Sequence, residues 1–370
     1  MRFIATADWQ LGMPAKRLPD EARSRFQNAR IEVIERIGTL AGERDADFVV
    51  VCGDIFDSNQ LDRRVVVRAA DALAKIKCPV YFVAGNHDPL DSASILLSSE
   101  FKTSMPENVV VVTEAGAREV APGVDLVSAP WFTKFPVSDL VADVLEAAEP
   151  APSRVRILAG HGGLLGIDTH DPAAVDERRI QQALDEGLID FAVLGDRHSL
   201  TEVAAKIWYP GAPEVTHRRE DKPGHVLLVE INSGSKEVTV TPEKVGIWKF
   251  VTLTADLTGT EDIAQLAADF ESLTDKSKTA VWLSLTGTIS ISAKATLDDL
   301  IEQMGERFAL VQLWERHTDL VIQMEDQDFA SLGLAGFAAD AVHELAGLAA
   351  TDESARDALG LLLRLNGALK

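Results

Sequence analysis

The side chains best suited to chemistry in this sequence are Asp, Asn and His residues that stand just after short apolar runs. Asp8 follows residues 3–7, with Gln10 close behind. Gly53-Asp54 follows residues 48–52. Gly85-Asn86-His87-Asp88 follows residues 80–84. Gly160-His161 follows residues 155–159, and Gly195-Asp196-Arg197-His198 follows residues 191–194. Taken singly, an Asp after a strand is a turn or cap residue, and a lone His is structural. The joint pattern differs, because gathered carboxylates repel one another unless cations neutralise them. An oxygen and nitrogen donor set without Cys suits Mn²⁺, Fe²⁺ or Mg²⁺, with Zn²⁺ also admissible. Two such ions about 3.5–4 Å apart clamp both oxygens of an in-line displacement at phosphorus. Asp54 is the natural bridge between them, and a nearby imidazole can protonate the leaving oxygen.

Elements able to position these residues are legible in the hydrophobic pattern. Over roughly the first 240 residues, near-continuous apolar strands alternate with amphipathic helices, which indicates a sheet covered on both faces. Further strands are expected at 109–112 and 124–129, and helices at 21–41, 62–75, 138–149 and 176–185. Such sheets place ligands just beyond the carboxyl ends of their strands, where the candidate residues lie. Residues 226–241 read as a hairpin turning at Asn232-Ser233-Gly234-Ser235, and Thr241-Pro242-Glu243-Lys244 reads as a domain boundary. A smaller βαβαβ-like unit follows, with strands at 250–253, 281–285 and 309–313 and helices at 262–273 and 297–307. Residues 329–370 are Ala/Leu-rich and read as two helices split near Thr351-Asp352-Glu353. The expected domains are 1–244, 245–325 and 326–370.

Composition narrows the setting. Hydrophobic residues make up 46% and charged residues 25% of 370, an ordinary globular balance. No apolar run approaches the roughly 18 residues of a membrane span. The two cysteines, Cys52 and Cys78, give neither a disulfide framework nor a thiolate cluster, and a reducing cytoplasm is the expected location. The net charge of −22 counts against a stand-alone nucleic-acid binder, which usually presents a basic surface.

The motif set around Asp8, Asp54, Asn86-His87-Asp88, His161 and His198 resembles the calcineurin-like metallophosphoesterase superfamily. Within it, the chain is similar to the SbcD-type nuclease family of DNA double-strand-break repair. Gly53-Asp54-Ile55-Phe56-Asp57, Trp208-Tyr209-Pro210-Gly211-Ala212-Pro213 and residues 222–230 carry that narrower likeness, which covers most of residues 1–325. It implies an α/β fold: a two-sheet sandwich flanked by helices, with a small α+β capping domain and C-terminal helices. It implies one metal held by Asp8, Asp54 and His198 with position 10 contributing, and a second held by Asp54, Asn86, His161 and position 196. The expected ions are two divalent metals, Mn²⁺ foremost. His87 would stabilise the transition state and protonate the leaving oxygen, and Asp88 would orient it. Position 10 is Gln and position 196 is Asp where the family usually has His. The extra carboxylate lowers the net positive charge of a loaded site and favours hard, oxygen-loving ions.

The implied activity is metal-dependent hydrolysis of DNA, as exonuclease or endonuclease, beside an SbcC-like ATPase that would supply basic surface. A homodimer is left open. The alternatives are a phosphodiesterase for small or cyclic-nucleotide substrates, and a catalytically weakened scaffold of an ATPase complex. Arg23, Arg25, Arg30, Arg63, Arg64 and Arg68 read mainly as solvated helix faces. His217-Arg218-Arg219 is a candidate for the site mouth. Trp9 and Trp131 are candidate stacking platforms with buried packing as the rival reading. His170, His225, His317 and His343 are assigned to surface or core.

Overall fold

The computed structural model describes residues 1–323 apart from His170 and Pro172, residues 336–349, and positions 352, 354, 355, 358 and 361. The chain forms two compact units, residues 1–16 with 23–248, and residues 17–22 with 249–370.

The first unit holds two six-stranded sheets. In one, β1 (Arg2–Thr6), β2 (Phe48–Cys52), β3 (Val80–Val83) and β4 (Val109–Val111) run parallel. β11 (His225–Ile231) pairs antiparallel with β1, and β12 (Val238–Lys244) forms the edge. In the other, β6 (Val124–Ser128), β7 (Val155–His161), β8 (Phe191–Gly195) and β10 (Ile207–Tyr209) run parallel, with β5 (Gly116–Ala121) and β9 (Thr201–Ala204) antiparallel at the edges.

Side chains alternate between faces along a strand, and this sorts the apolar residues into three cores. Phe3, Ala5, Phe48, Val50 and Tyr81 of the first sheet meet Leu126, Ile157, Ala159 and Phe191 of the second. Phe3 stacks on Phe48 at 5.1 Å and meets Phe191 edge-on at 6.1 Å. The opposite face of the first sheet, with Ile4, Val49, Val51 and Phe82, packs on α1 (Asp20–Glu43) and α2 (Arg63–Leu73) through Val33, Ile34, Ile37, Val66 and Ala69. α3 (Ser99–Ser104) adds Phe101 to the same core. The outer face of the second sheet packs on α4 (Leu140–Glu146) and α5 (Glu177–Asp185) through Val141, Val144 and Ile180. Strands buried on both faces explain the near-continuous apolar runs. Asp62, Asp139 and Asp176 cap α2, α4 and α5 by accepting their first free amides, as short-chain acceptors do at N-caps.

Thr241–Lys244 is corrected from a boundary to the end of β12, where Pro242 pairs opposite Leu227. β12 is an edge strand, so a missing N–H is tolerated there. The two units divide between Trp248 and Lys249.

The second unit is a sheet of four parallel strands, β13 (Lys249–Leu257), β14 (Thr279–Ser290), β15 (Leu310–Leu313) and β16 (Asp319–Gln323). It carries α6 (Thr260–Ser272) and α7 (Ile291–Arg307) around a core of Leu266, Phe270, Val281, Leu283, Leu297 and Phe308. The sequence pattern missed β16, which pairs with the second half of the long β14. α8 (Phe337–Ala349) supplies one of the two expected C-terminal helices; the residues expected to form the other lie largely outside the described ones. Among the described residues, no helix is long and apolar enough to cross a membrane.

Candidate metal centre

The carboxyl ends of β1, β2, β3, β7 and β8 deliver the candidate residues. Beyond β1 and β2 the two chain segments stay paired: the Asp8 amide donates to the Gly53 carbonyl (3.1 Å), the Gln10 amide to Asp54 (2.8 Å) and the Leu11 amide to Ile55 (2.9 Å). Four site residues hold left-handed backbone, with φ of 53° at Asp8, 43° at Gln10, 52° at Asp54 and 93° at Asp196. Each such non-glycine residue costs on the order of 1 kcal/mol or more, and surrounding structure must impose it. Here the imposed turn brings carboxylates toward a common centre.

Two glycines let the sheets approach closely enough. A Cβ at Gly195 would stand 1.8 Å from the Cys52 carbonyl oxygen, and one at Gly53 would stand 2.1 Å from His161 Nδ1. Gly53 also has φ +82°, a conformation glycine adopts without steric penalty.

Asp8, Asp54 and His161 are all buried, and their ligand atoms lie within 4.8 Å of one another. His161 Nδ1 donates to the Cys52 carbonyl (2.9 Å), since a carbonyl only accepts. Its Nε2 is 2.9 Å from Asn86 Oδ1, 3.5 Å from Asp54 Oδ1 and 3.7 Å from Asp196 Oδ1. Both ring nitrogens thus face oxygen acceptors, as in an imidazolium. Burial alone would lower the His161 pKa, but Asp54, Asp8 and Asp196 outweigh it and raise it to about 9. Burial pushes the Asp8 carboxyl well above the usual range, against the pull of His198 and His161. Among the described residues, no Lys or Arg forms an ion pair with Asp8, Asp54 or Asp196. A protonated histidine therefore supplies the positive charge that the clustered carboxylates require. Replacing that proton by a divalent cation satisfies the same oxygens and frees Nε2 as a nitrogen donor, so the residues fit a metal.

The remaining candidates surround this trio. The Asp196 amide donates to both Asp8 oxygens (3.0 and 3.2 Å), while its side chain is 37% exposed. His198 Nε2 lies 4.0 Å from Asp8 Oδ1 and 3.1 Å from Gln10 Nε2. The His87 amide donates to Asp54 Oδ1 (2.9 Å), its Nδ1 donates to the Asp57 carbonyl (2.8 Å), and its ring is 40% exposed. The expected role of Asp88 is corrected. Its oxygens accept from the Gly85 amide (2.8 Å) and the Phe56 amide (3.0 Å), so it ties two site loops together. The Asp57 carbonyl is what orients the His87 ring. Burial, followed by repulsion from Asp54, raises the Asp88 pKa.

Several other expectations change. Trp9 is buried, donates to Thr6 Oγ1 (3.0 Å) and meets Phe82 edge-on, so it is core and no platform. Half-buried Trp131 donates to the His161 carbonyl (2.8 Å) and braces that histidine's backbone. Arg30 is fully buried, donating to the carbonyls of Trp9 (2.7 Å) and Val215 (3.1 Å). It holds the segment beyond β1 against the turn after Pro213. In that turn Thr216 and Glu220 reach His198 Nδ1, at 2.5 and 3.3 Å. Sequence reasoning pointed at His217-Arg218-Arg219, the basic middle of this turn, and passed over the two residues that touch the site. The only available signal was the turn's position after the Tyr-Pro-Gly-Ala-Pro run. His225 opens β11, His317 lies with its ring tilted against Trp314 and His343 lies in α8; His170 lies outside the described residues.

The chain is 35% identical over 98 residues to the SbcD subunit of the SbcCD nuclease of Bacillus subtilis (strain 168), a match spanning 25% of this chain and 24% of that protein. Among solved structures, it is similar to TT1561 of Thermus thermophilus (11% identity, 66% of this chain, 98% of that one, TM-score 0.40). It is also similar to GAP50, the anchor in the inner membrane complex of Plasmodium (12% identity, 66% and 88%, TM-score 0.36). The model of the calcineurin-like phosphoesterases matches residues 1–225, which span every residue of the centre described above. The chain belongs to the calcineurin-like phosphoesterase family.

Proposed function

We propose that this protein is a DNA nuclease that cuts phosphodiester bonds with two divalent ions, Mn²⁺ foremost, and works beside an SbcC-like ATPase. The observation that carries the metal reading is the buried Asp8, Asp54 and His161 trio, whose ligand atoms lie within 4.8 Å of one another. The nuclease reading is supported by the stretch similar to the SbcCD nuclease. It is supported too by the placement of the Tyr-Pro-Gly-Ala-Pro run, whose Ala212 amide donates to the His198 carbonyl (2.9 Å). A −22 chain meets a polyanion more readily when a partner contributes basic surface.

Asp8, Asp54 and His198, with Gln10, would hold one ion, and Asp54, Asn86, His161 and Asp196 the other. When bound, the ions neutralise these carboxylates and polarise the scissile phosphoryl group. His87 is the proton donor to the leaving oxygen. Its Nδ1–H is committed to the Asp57 carbonyl, so Nε2, on a ring open to solvent and 3.9 Å from Asp54 Oδ2, is the nitrogen left to pass a proton to the leaving oxygen. The bonds through Asp88 hold the loops of Asp54 and His87 at fixed spacing.

The test is hydrolysis of linear DNA and of bis(p-nitrophenyl) phosphate with Mn²⁺, alone and with the ATPase. Wild type should cut both. His87→Ala should bind Mn²⁺ as wild type does and lose on the order of 10²–10⁴-fold in rate. Cleavage of the small ester but never of DNA would reject the nuclease reading, and no cleavage without metal binding would reject the enzyme.

A further inference from the structure

We propose that Glu220, acting through the Thr216 hydroxyl, is a positioning residue that fixes His198 in its Nδ1–H tautomer and so presents the Nε2 lone pair to the metal centre. The inference rests on the reading of His198 as a metal ligand, and the direction of each proton carries it. The Thr216 hydroxyl donates to Glu220 Oε1 in a very short hydrogen bond. That hydroxyl has a single proton, so toward His198 Nδ1, 2.5 Å away, it can only accept. Glu220 Oε1, 3.3 Å from the same nitrogen, is a second acceptor. Nδ1 must therefore carry a hydrogen, and a neutral ring then leaves Nε2 bare. Nε2 is the nitrogen that faces Asp8 Oδ1 and Gln10.

The carboxylate is itself held in place. It accepts the Thr216 amide (3.0 Å to Oε2) and the His217 amide (2.8 Å to Oε1), and its side chain is only 7% exposed. Glu220 thus gathers two backbone amides and one hydroxyl into a rigid turn, with the His198 ring as the group that turn faces. Arg30, donating to the Val215 carbonyl (3.1 Å), fixes the turn from below. A metal-binding histidine whose second nitrogen is anchored in this way keeps its ring orientation and gains basicity. Loss of the anchor typically weakens metal binding about 10–100-fold.

The experiment uses the full chain. Long-range ¹H–¹⁵N NMR of the cation-free protein reads the His198 tautomer, and calorimetry with Mn²⁺ reads affinity. Thr216→Val removes the hydroxyl while keeping shape, Thr216→Ser restores it, and Glu220→Gln keeps an acceptor without the charge. Wild type should show Nδ1–H at His198. Thr216→Val should show a mixed tautomer and bind Mn²⁺ about 10–100-fold more weakly, Thr216→Ser should match wild type, and Glu220→Gln should fall between. Thr216→Val binding as wild type does, or Nε2–H in the wild type, would overturn the proposal while leaving the metal centre intact. Wild type that binds no Mn²⁺ would overturn the metal centre itself, and this proposal with it.

Discussion

Gly195→Ala tests the close approach of the two sheets on which the centre depends. The added Cβ would stand 1.8 Å from the Cys52 carbonyl oxygen and 2.6 Å from His161 Nδ1. Ordinary contact between such atoms is about 3.4 Å, so the ends of β2 and β8 must separate by on the order of 1.5 Å. The obstacle is backbone, which no rotamer change relieves. Gly195 is not in the left-handed region, so the expected effect is steric alone. Overpacking costs about 1–3 kcal/mol, and loss of the buried His161–Cys52 hydrogen bond adds about 1 kcal/mol. The sum, about 3 kcal/mol, lowers Tm by roughly 10 °C in a domain of this size. Asp196 and His161 move with the separated strands, so Mn²⁺ affinity should fall at least about 100-fold. Calorimetric melting and Mn²⁺ titration measure both. Gly42→Ala is the control, because its Cβ meets nothing within 4 Å and alanine is the better helix former by about 1 kcal/mol at most. A Gly195→Ala protein that melts within about 2 °C of wild type and binds Mn²⁺ equally would refute the geometry.

Two further predictions concern charge. Arg36→Met strands the fully buried Glu214, whose carboxylate is bound by Arg36 Nη2 (2.6 Å) and the amides of Ile247 and Trp248. Breaking a buried pair costs about 3–5 kcal/mol; Arg36 is 29% exposed, which reduces the expected loss to about 2 kcal/mol. Urea melts should show it, and adding Glu214→Gln should recover part of it; an unchanged midpoint in Arg36→Met refutes the link. The cation-free protein should also lose stability as pH rises. His161 is raised from 6.5 to about 9 in the fold, so its contribution is complete below pH 6.5 and disappears as pH rises through about 9. That interval corresponds to about 3 kcal/mol. Mn²⁺ must displace the same proton, so affinity should rise with pH over the same window, by up to about tenfold per pH unit. Stability and affinity that are both flat from pH 6 to 9 would contradict the protonated His161.

Much of this was legible in the sequence because it depends on local pattern. A strand buried on both faces has to be an unbroken apolar run, and a residue needed beyond its carboxyl end has to follow that run directly. Asp8, Asp54 and Asn86 stand at strand ends of one sheet and His161 and Asp196 at strand ends of the other, so the pattern placed each residue at a strand end, while the packing of the two sheets that unites them was not written in it. The misses share a different cause. Arg30 lies on α1 among other charged residues, and nothing local separates a solvated arginine from one that donates to the Val215 carbonyl 185 residues away. Thr216 and Glu220 carry no local signal, since their target, His198, lies 18 and 22 residues away and is brought to them by the folded turn. Asp88 follows His87 directly and was read as its partner, yet the turn directs its carboxylate at the amides of Gly85 and Phe56. Pro242 read as a break because a proline is forbidden in a central strand but not in an edge strand, and edge position is a property of the assembled sheet.

The central claim is that Asp54 unites two ions in one centre. Mass-spectrometric metal counting on Mn²⁺-loaded, desalted protein tests it most directly, comparing wild type with Asp54→Asn. Asparagine keeps an oxygen for the His87 amide but removes the charge shared by both ions. The expected result is about two Mn²⁺ per wild-type chain and at most one in Asp54→Asn, with hydrolysis of bis(p-nitrophenyl) phosphate lost in parallel. A wild-type chain that retains no metal, or an Asp54→Asn chain that retains two ions and full activity, would contradict the account.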